Sequence, residues 1–147
     1  MELNHATILR TLTLEQKCAL LSGETVFTTR GFPQKGIPSI TLSDGPNGVR
    51  KQAGAADHLG LNPSEPATCF PPSATVANSW DPTLAEEIGN ALGEEAAAQQ
   101  VAVLLGPGLN LKRSPLCGRN FEYFSEDPFL SGKMAAGYVR GIQKNGI

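Results

Sequence analysis

The sequence predicts an α/β fold built on a parallel sheet, and three observations carry that reading. Predicted strands and helices alternate along the chain, the order produced by βαβ units. The segment Val101-Ala102-Val103-Leu104-Leu105 is apolar throughout, as in a strand buried on both faces of a parallel sheet. Each predicted strand also runs into a long Gly/Pro-rich loop, and the C-terminal strand ends of such folds carry their functional sites.

The elements follow in order. Thr13-Leu14-Glu15-Gln16 has the form of a capping box, a hydroxyl at the N-cap with Gln three residues on. Leu14, Cys18 and Leu21 then share a face and Gly23 stops the run, so a helix is expected over 14–22. Ile37-Pro38-Ser39-Ile40-Thr41-Leu42 is β-rich with proline near its start, and predicts a strand ending at Ser43-Asp44. Asp44-Gly45-Pro46-Asn47-Gly48 is dense turn chemistry. Residues 54–72 give no periodicity and read as a long loop.

Asp81-Pro82 starts the next helix, an N-cap carboxylate followed by proline at the first helical position. Leu84, Ile88, Leu92 and Ala96 recur every four residues and carry that helix over 82–100. The apolar strand 101–105 follows, then a second loop over 106–130, in which Glu126-Asp127 before Pro128 reads as a turn. Ser131 is expected to cap a last helix, with Met134, Tyr138, Val139 and Ile142 on one face and Gly146 at its C-cap. Two strands do not complete a parallel sheet. A closed barrel takes roughly 250 residues and an open doubly wound sheet needs further strands, so the 147 residues are expected to form an incomplete unit.

Composition narrows the function. Hydrophobic residues make up 40% of the chain, enough for a packed core. Twelve Lys plus Arg against 14 Asp plus Glu leave a net charge of -2, so no electrostatic argument exists for nucleic acid or an anionic membrane. The longest strongly apolar run, 101–105, is far too short to span a bilayer. The three cysteines, Cys18, Cys69 and Cys117, are odd in number and widely spaced, which predicts neither disulfides nor a zinc site and suits a reducing compartment. The N-terminal MELNHATILRTLTLEQK lacks a basic start followed by an apolar stretch, so no signal peptide is expected and the protein reads as cytoplasmic. Gly106-Pro107-Gly108 matches no phosphate loop, and no cofactor is expected. Asp57-His58 has no second ligand cluster, so no metal site is expected either.

The chemistry-bearing residues lie in the two loops that leave the strands. Asp44 supplies an acceptor-only carboxylate, suited to clasping vicinal hydroxyls; from spacing alone the Asx-turn reading is preferred. The second loop holds Arg113, Arg119, Glu122, Glu126 and Asp127 among Asn110, Asn120, Phe121, Tyr123 and Phe124. Donors and acceptors beside aromatic plates suit a sugar; the same arginines and acids also suit ion pairs that pin a long loop.

These blocks resemble glycoside hydrolase family 3. Ser43-Asp44-Gly45-Pro46-Asn47-Gly48-Val49-Arg50, Ala77-Asn78-Ser79-Trp80-Asp81 and the stretch LGPGLNLKRSPLCGRNFEYFSEDPFLSG, residues 105–132, stand in the family's order. The resemblance implies an incomplete TIM-like (β/α)8 barrel, its N-terminal part only, with residues 1–147 the first portion of the barrel domain and a second α/β sandwich domain absent. It implies retaining hydrolysis of β-glucosides or related glycosides. Asp44 would grip the sugar's non-reacting hydroxyls and Arg119 would be its cationic partner. Glu122 and Arg50 would support that pair by orienting it, with Arg113 a further supporting candidate. The family's nucleophile and acid/base match nothing up to Ile147, so residues 1–147 alone are expected not to turn over and to need the C-terminal part of the enzyme for a β-glycoside or oligosaccharide substrate. The alternatives are a non-catalytic carbohydrate-binding module and an accessory subunit completing a split barrel.

Overall fold

A computed structural model describes residues 5–54, 57 and 59–147. Along the chain stand α1 (Ala6–Thr11), α2 (Leu14–Ala19), β1 (Leu42–Asp44), α3 (Ser73–Ala77), α4 (Pro82–Ala98), β2 (Val103–Leu105) and α5 (Pro128–Gln143), with 3-10 turns at Pro33–Lys35 and Asn120–Glu122. β1 and β2 pair in parallel, with Leu42 opposite Val103 and Asp44 opposite Leu105. The expected βαβ order is therefore present in this small α/β unit.

Helix ends follow side-chain chemistry. Both halves of the capping box form at α2, Gln16 N–H to Thr13 Oγ1 (3.2 Å) and Thr13 N–H to Gln16 Oε1 (3.0 Å). Asp81 accepts from the Thr83 and Leu84 amides at the head of α4 (2.8 and 3.3 Å). Asp127-Pro128 repeats that device at α5, where the carboxylate accepts from Phe129 and Leu130 (3.0 and 3.3 Å). α5 thus starts before the expected Ser131. That serine is buried inside the helix and donates to the Ser125 carbonyl (3.2 Å).

Three further expectations change. The regular strand is confined to Leu42–Asp44, because the backbone before it bonds instead to an irregular segment, with Thr29 N–H on Ile40 O (2.9 Å) and Leu42 N–H on Phe27 O (2.8 Å). α2 ends at Ala19, its last turn tightening through Leu21 N–H to Cys18 O (3.1 Å), and its face is open, with Leu14 71% exposed. β2 is covered on one side only. Leu104 is buried under the helices while Val103 and Leu105 are about 40% exposed.

The core lies between the strand pair and the helices α4 and α5, which run parallel: Gly89 faces Tyr138 and Gly93 faces Ile142. Ala85, Leu92, Ala96, Val101, Leu104, Met134, Tyr138 and Ile142 fill it. Four glycines set the distance between the two helices. A Cβ on Gly89 would lie 2.2 Å from the Tyr138 carbonyl oxygen, and one on Gly141 would lie 2.1 Å from that of Glu86. Gly93 and Gly137 meet the facing backbone at 2.7 and 2.4 Å in the same way. The helices therefore touch backbone to backbone, and every side chain around that contact packs to the resulting separation. At its edge Glu86 pairs with Lys144 (2.6 Å) and Arg140 (2.9 Å), which hold its carboxyl below the usual 4.5.

Two outcomes are expected. Gly141→Ala should cost roughly 1–3 kcal/mol through overpacking, outweighing the ~1 kcal/mol that alanine gains in helix propensity. Gly132→Ala in the same helix meets nothing within 4 Å and should be neutral or stabilising. Denaturation midpoints of the two variants separate the effects, and equal shifts would contradict the interlock. The second outcome concerns pH. The depressed carboxyl of Glu86 stabilises the fold above its unfolded value near 4.5, and that contribution is lost as pH falls through the folded value. The stability difference between the wild type and Glu86→Gln should hold above about pH 5.5 and shrink below about pH 4.5 when midpoints are followed with pH.

Candidate functional site

The C-terminal ends of the two strands lie side by side, so the loops leaving them share one rim. β1 delivers Asp44 and then a turn that only glycine can complete at Gly45 and Gly48, with φ of +134° and +145°. A Cβ on Gly45 would lie 2.0 Å from the Gly48 carbonyl oxygen. The turn closes when the Arg50 amide donates to the Asp44 carbonyl (2.8 Å). Asn47 ties it to the following loop, accepting at its carbonyl from the Phe70 amide (3.0 Å) and at Oδ1 from Ser73 (3.2 Å).

The second loop fits against the first. Gly106, at the end of β2, sits so close to Pro46 that a Cβ would lie 2.7 Å from its Cα. Gly106-Pro107 is a cis peptide, and Gly108 bridges to Tyr123 in parallel. From below, the buried Tyr138 of α5 donates its hydroxyl to the Pro46 carbonyl (2.9 Å) and meets Phe124 edge-on at 6.1 Å between ring centroids. Burial pushes the Tyr138 phenol well above its ordinary range, so it stays a donor. The sequence marked Tyr138 as one more apolar position on a helix face. The usable signal was chemical: a buried tyrosine must give its hydroxyl a partner.

Between the loops lies a cleft of about 470 Å³, lined by Asp44, Arg50, Arg119 and Glu122 with Phe121 and Tyr123 beside them. The Asp44 carboxylate is exposed and makes no hydrogen bond among the described residues; the Asx-turn that spacing alone favoured does not form. Arg119, at φ +67°, is held at Nε by the buried carboxylate of Glu122. Its terminal amino groups have no protein partner among the described residues. Glu122, through its hydrogen bond and then its charge, pushes the guanidinium further above its ordinary range, and Tyr123 and Asp44 act in the same direction. Arg50 supports Asp44 through its backbone amide, while its guanidinium holds the Gly60 carbonyl (2.5 Å).

Arg113 stands apart. It lines a second cleft of about 390 Å³ with Trp80, Lys112 and Glu126, and Asn120 forms part of its wall. Of the two acids before Pro128, Asp127 caps α5 and Glu126 faces this cleft. His58 lies outside the described residues, and Asp57 accepts from the Asn62 and Leu61 amides (2.8 and 3.2 Å). No group of three or more His, Cys, Asp or Glu able to hold a metal exists among the described residues.

In the first cleft an open acceptor, an open planar donor and two aromatic rings face one space, the complement of a polyol with one apolar face. The described residues that line it include no cleaving pair. Retaining cleavage needs two carboxyl groups about 5–5.5 Å apart across the scissile bond, and Glu122 is already spent on Arg119.

Comparison with known proteins bears on the family of the chain. Residues 53–147 match the model of the glycosyl hydrolase family 3 N terminal domain. The chain is 54% identical over 140 residues to thermostable beta-glucosidase B of Acetivibrio thermocellus, covering 95% of this chain and 18% of that protein. It is 50% identical over 137 residues to an exo-alpha-(1->6)-L-arabinopyranosidase of Bifidobacterium longum, again spanning 18% of the relative's length and 92% of its own. Beta-glucosidase 3B of Thermotoga neapolitana, solved in complex with glucose, superposes with a TM-score of 0.85 at 39% identity, over 97% of this chain and 22% of that one.

The Tyr138 hydroxyl is expected to set the rigidity of the Asp44 turn. Tyr138→Phe should cost about 0.5–1.5 kcal/mol and leave the Pro46 carbonyl without its side-chain donor. Amide exchange at Arg50, whose N–H closes the turn, should quicken more than exchange in the middle of α4. Uniform acceleration across both would indicate a global loss instead.

Proposed function

The chain belongs to glycosyl hydrolase family 3, and on that premise we propose that it supplies the sugar-gripping part of a retaining β-glucosidase-like enzyme. The observation that carries the proposal is the pairing within the first cleft: a free Asp44 carboxylate across from an Arg119 guanidinium that Glu122 holds at one edge. Asp44 accepts from two sugar hydroxyls, the Arg119 amino groups donate to a hydroxyl oxygen, and the neighbouring rings offer a plate to the C–H face. Charge-assisted bonds of this kind hold the non-reacting part of the sugar, and binding energy gained there lowers the barrier at the reacting carbon.

The same reading places residues 1–147 in the first portion of a TIM-like barrel domain, completed by the C-terminal part of the enzyme that brings the nucleophile, the acid/base and the α/β sandwich domain. The parallel strand pair, the outer α4–α5 layer and a length 18% that of the curated relatives support it. Three free, exposed cysteines support a reducing, cytoplasmic setting. No helix among the described residues is long and apolar enough to cross a membrane. The two relatives' names span a glucosidase and an arabinopyranosidase, so the sugar is best decided by a panel of aryl glycosides that includes both.

In the full-length enzyme Asp44→Asn should lower kcat/KM on the preferred aryl glycoside by about 1.5–3 kcal/mol, roughly 10- to 150-fold. Residues 1–147 by themselves should release no nitrophenol above buffer. An unchanged kcat/KM would remove Asp44 from the sugar site.

A further inference from the structure

The second cleft is unused by the reading above, and it holds Arg113, the arginine of the second loop that reading did not absorb. Trp80 stands at its mouth in the turn between α3 and α4, with a left-handed φ of +57°. For a bulky side chain that conformation is an outlier and costs energy. The strain does not serve burial, because Trp80 remains 72% exposed. Opposite it are the side chains of Lys112, Arg113 and Glu126, none of which makes a side-chain hydrogen bond or ion pair among the described residues. Asn120 adds an unmet acceptor: its Nδ2 donates to the Ser114 carbonyl (2.8 Å), while its Oδ1 is buried without a partner.

We propose that this cleft is a second carbohydrate-binding site, which takes a neutral pyranose unit of an oligosaccharide. The proposal rests on the family reading only for the class of ligand. An exposed indole held open by a strained backbone is a plate for the C–H face of a sugar ring. The negative face of its π-system disfavours an anion, so the two cations are matched to hydroxyl oxygens rather than to phosphate. Glu126 and Asn120 supply acceptors for hydroxyl protons. At about 390 Å³ the cleft falls within the roughly 300–1,000 Å³ of small-molecule sites. It lies across the 3-10 turn from the first cleft, since Asn120 faces one and Arg119 and Glu122 the other. Two sugar sites would then flank one turn.

The test uses the full-length enzyme carrying Asp44→Ala, which disables the first cleft, titrated with cellotetraose in a calorimeter. Residual binding is expected, and adding Trp80→Gly should weaken it about tenfold or more. Glycine takes the left-handed angle without strain, so this variant should fold at least as well as the wild type. Trp80→Phe should keep most of the affinity and Arg113→Ala should lower it. On an aryl glucoside, with Asp44 intact, Trp80→Gly should leave kcat/KM unchanged. No residual binding, which is the result if the rest of the polypeptide covers the cleft, would overturn the proposal. So would residual binding indifferent to Trp80→Gly and Arg113→Ala, or a parallel loss of aryl-glucoside turnover. In each of these cases, Asp44-dependent hydrolysis by the wild type would still leave the first cleft's assignment standing.

Discussion

The backbone contact between α4 and α5 is the constraint from which the site geometry descends. Gly89 and Gly93 on one helix and Gly137 and Gly141 on the other let the chains meet without intervening side chains. That contact fixes the height and rotation of α5 over the strands, and Tyr138 rides on α5. Its hydroxyl reaches one atom, the Pro46 carbonyl, in the middle of the turn that carries Asp44. Pro46 in turn is pressed against Gly106 at the end of β2, so the second loop takes its position from the first. A displacement between the helices would therefore pass to the cleft through a hydrogen bond and a van der Waals contact, with no slack residue between them.

The polar groups of the cleft divide into those spent on the scaffold and those left over. Glu122 is buried and committed to Arg119; the Arg50 guanidinium is committed to the Gly60 carbonyl. What remains is one carboxylate and two amino groups of one guanidinium. Fixing Arg119 at Nε removes much of the entropy a free arginine would lose on binding, which is how a loop residue becomes a precise ligand. On the proposed function the groups that break the bond come from elsewhere in the enzyme, so gripping and cutting would be carried by different stretches of chain.

Much of this was legible in the sequence, and the failures have physical causes. Asp81-Pro82 announced α4 because the cap and the proline act locally. Asp127-Pro128 carries the same signal at α5, but the acids beside it suggested a turn and Ser131 offered a rival cap. α3 spans five residues, too few for a periodic pattern to register. The run 37–42 has strand composition, yet pairing depends on which backbone lies beside it, and residues 27–29 took most of its hydrogen bonds. The apolar faces of β2 were read correctly as hydrophobic, and residues 1–147 cover one of them only, since a sequence reports what a face prefers and not what lies against it. In the site, the convergence of the blocks holding Asp44 and Arg119 was legible, because both loops leave the C-terminal ends of parallel strands. The division of the loop arginines between two clefts was not, because it depends on how the 3-10 turn at Asn120–Glu122 faces its neighbours.

At position 119 the backbone and the side chain favour different amino acids. A φ of +67° suits glycine, and the cleft presents a guanidinium. A screen that selects only for thermal tolerance would therefore be drawn toward Arg119→Gly, relaxing the chain while erasing the cationic partner proposed for the sugar. Stability and recognition pull in opposite directions at a single residue, and resistance to that drift has to come from selection on activity.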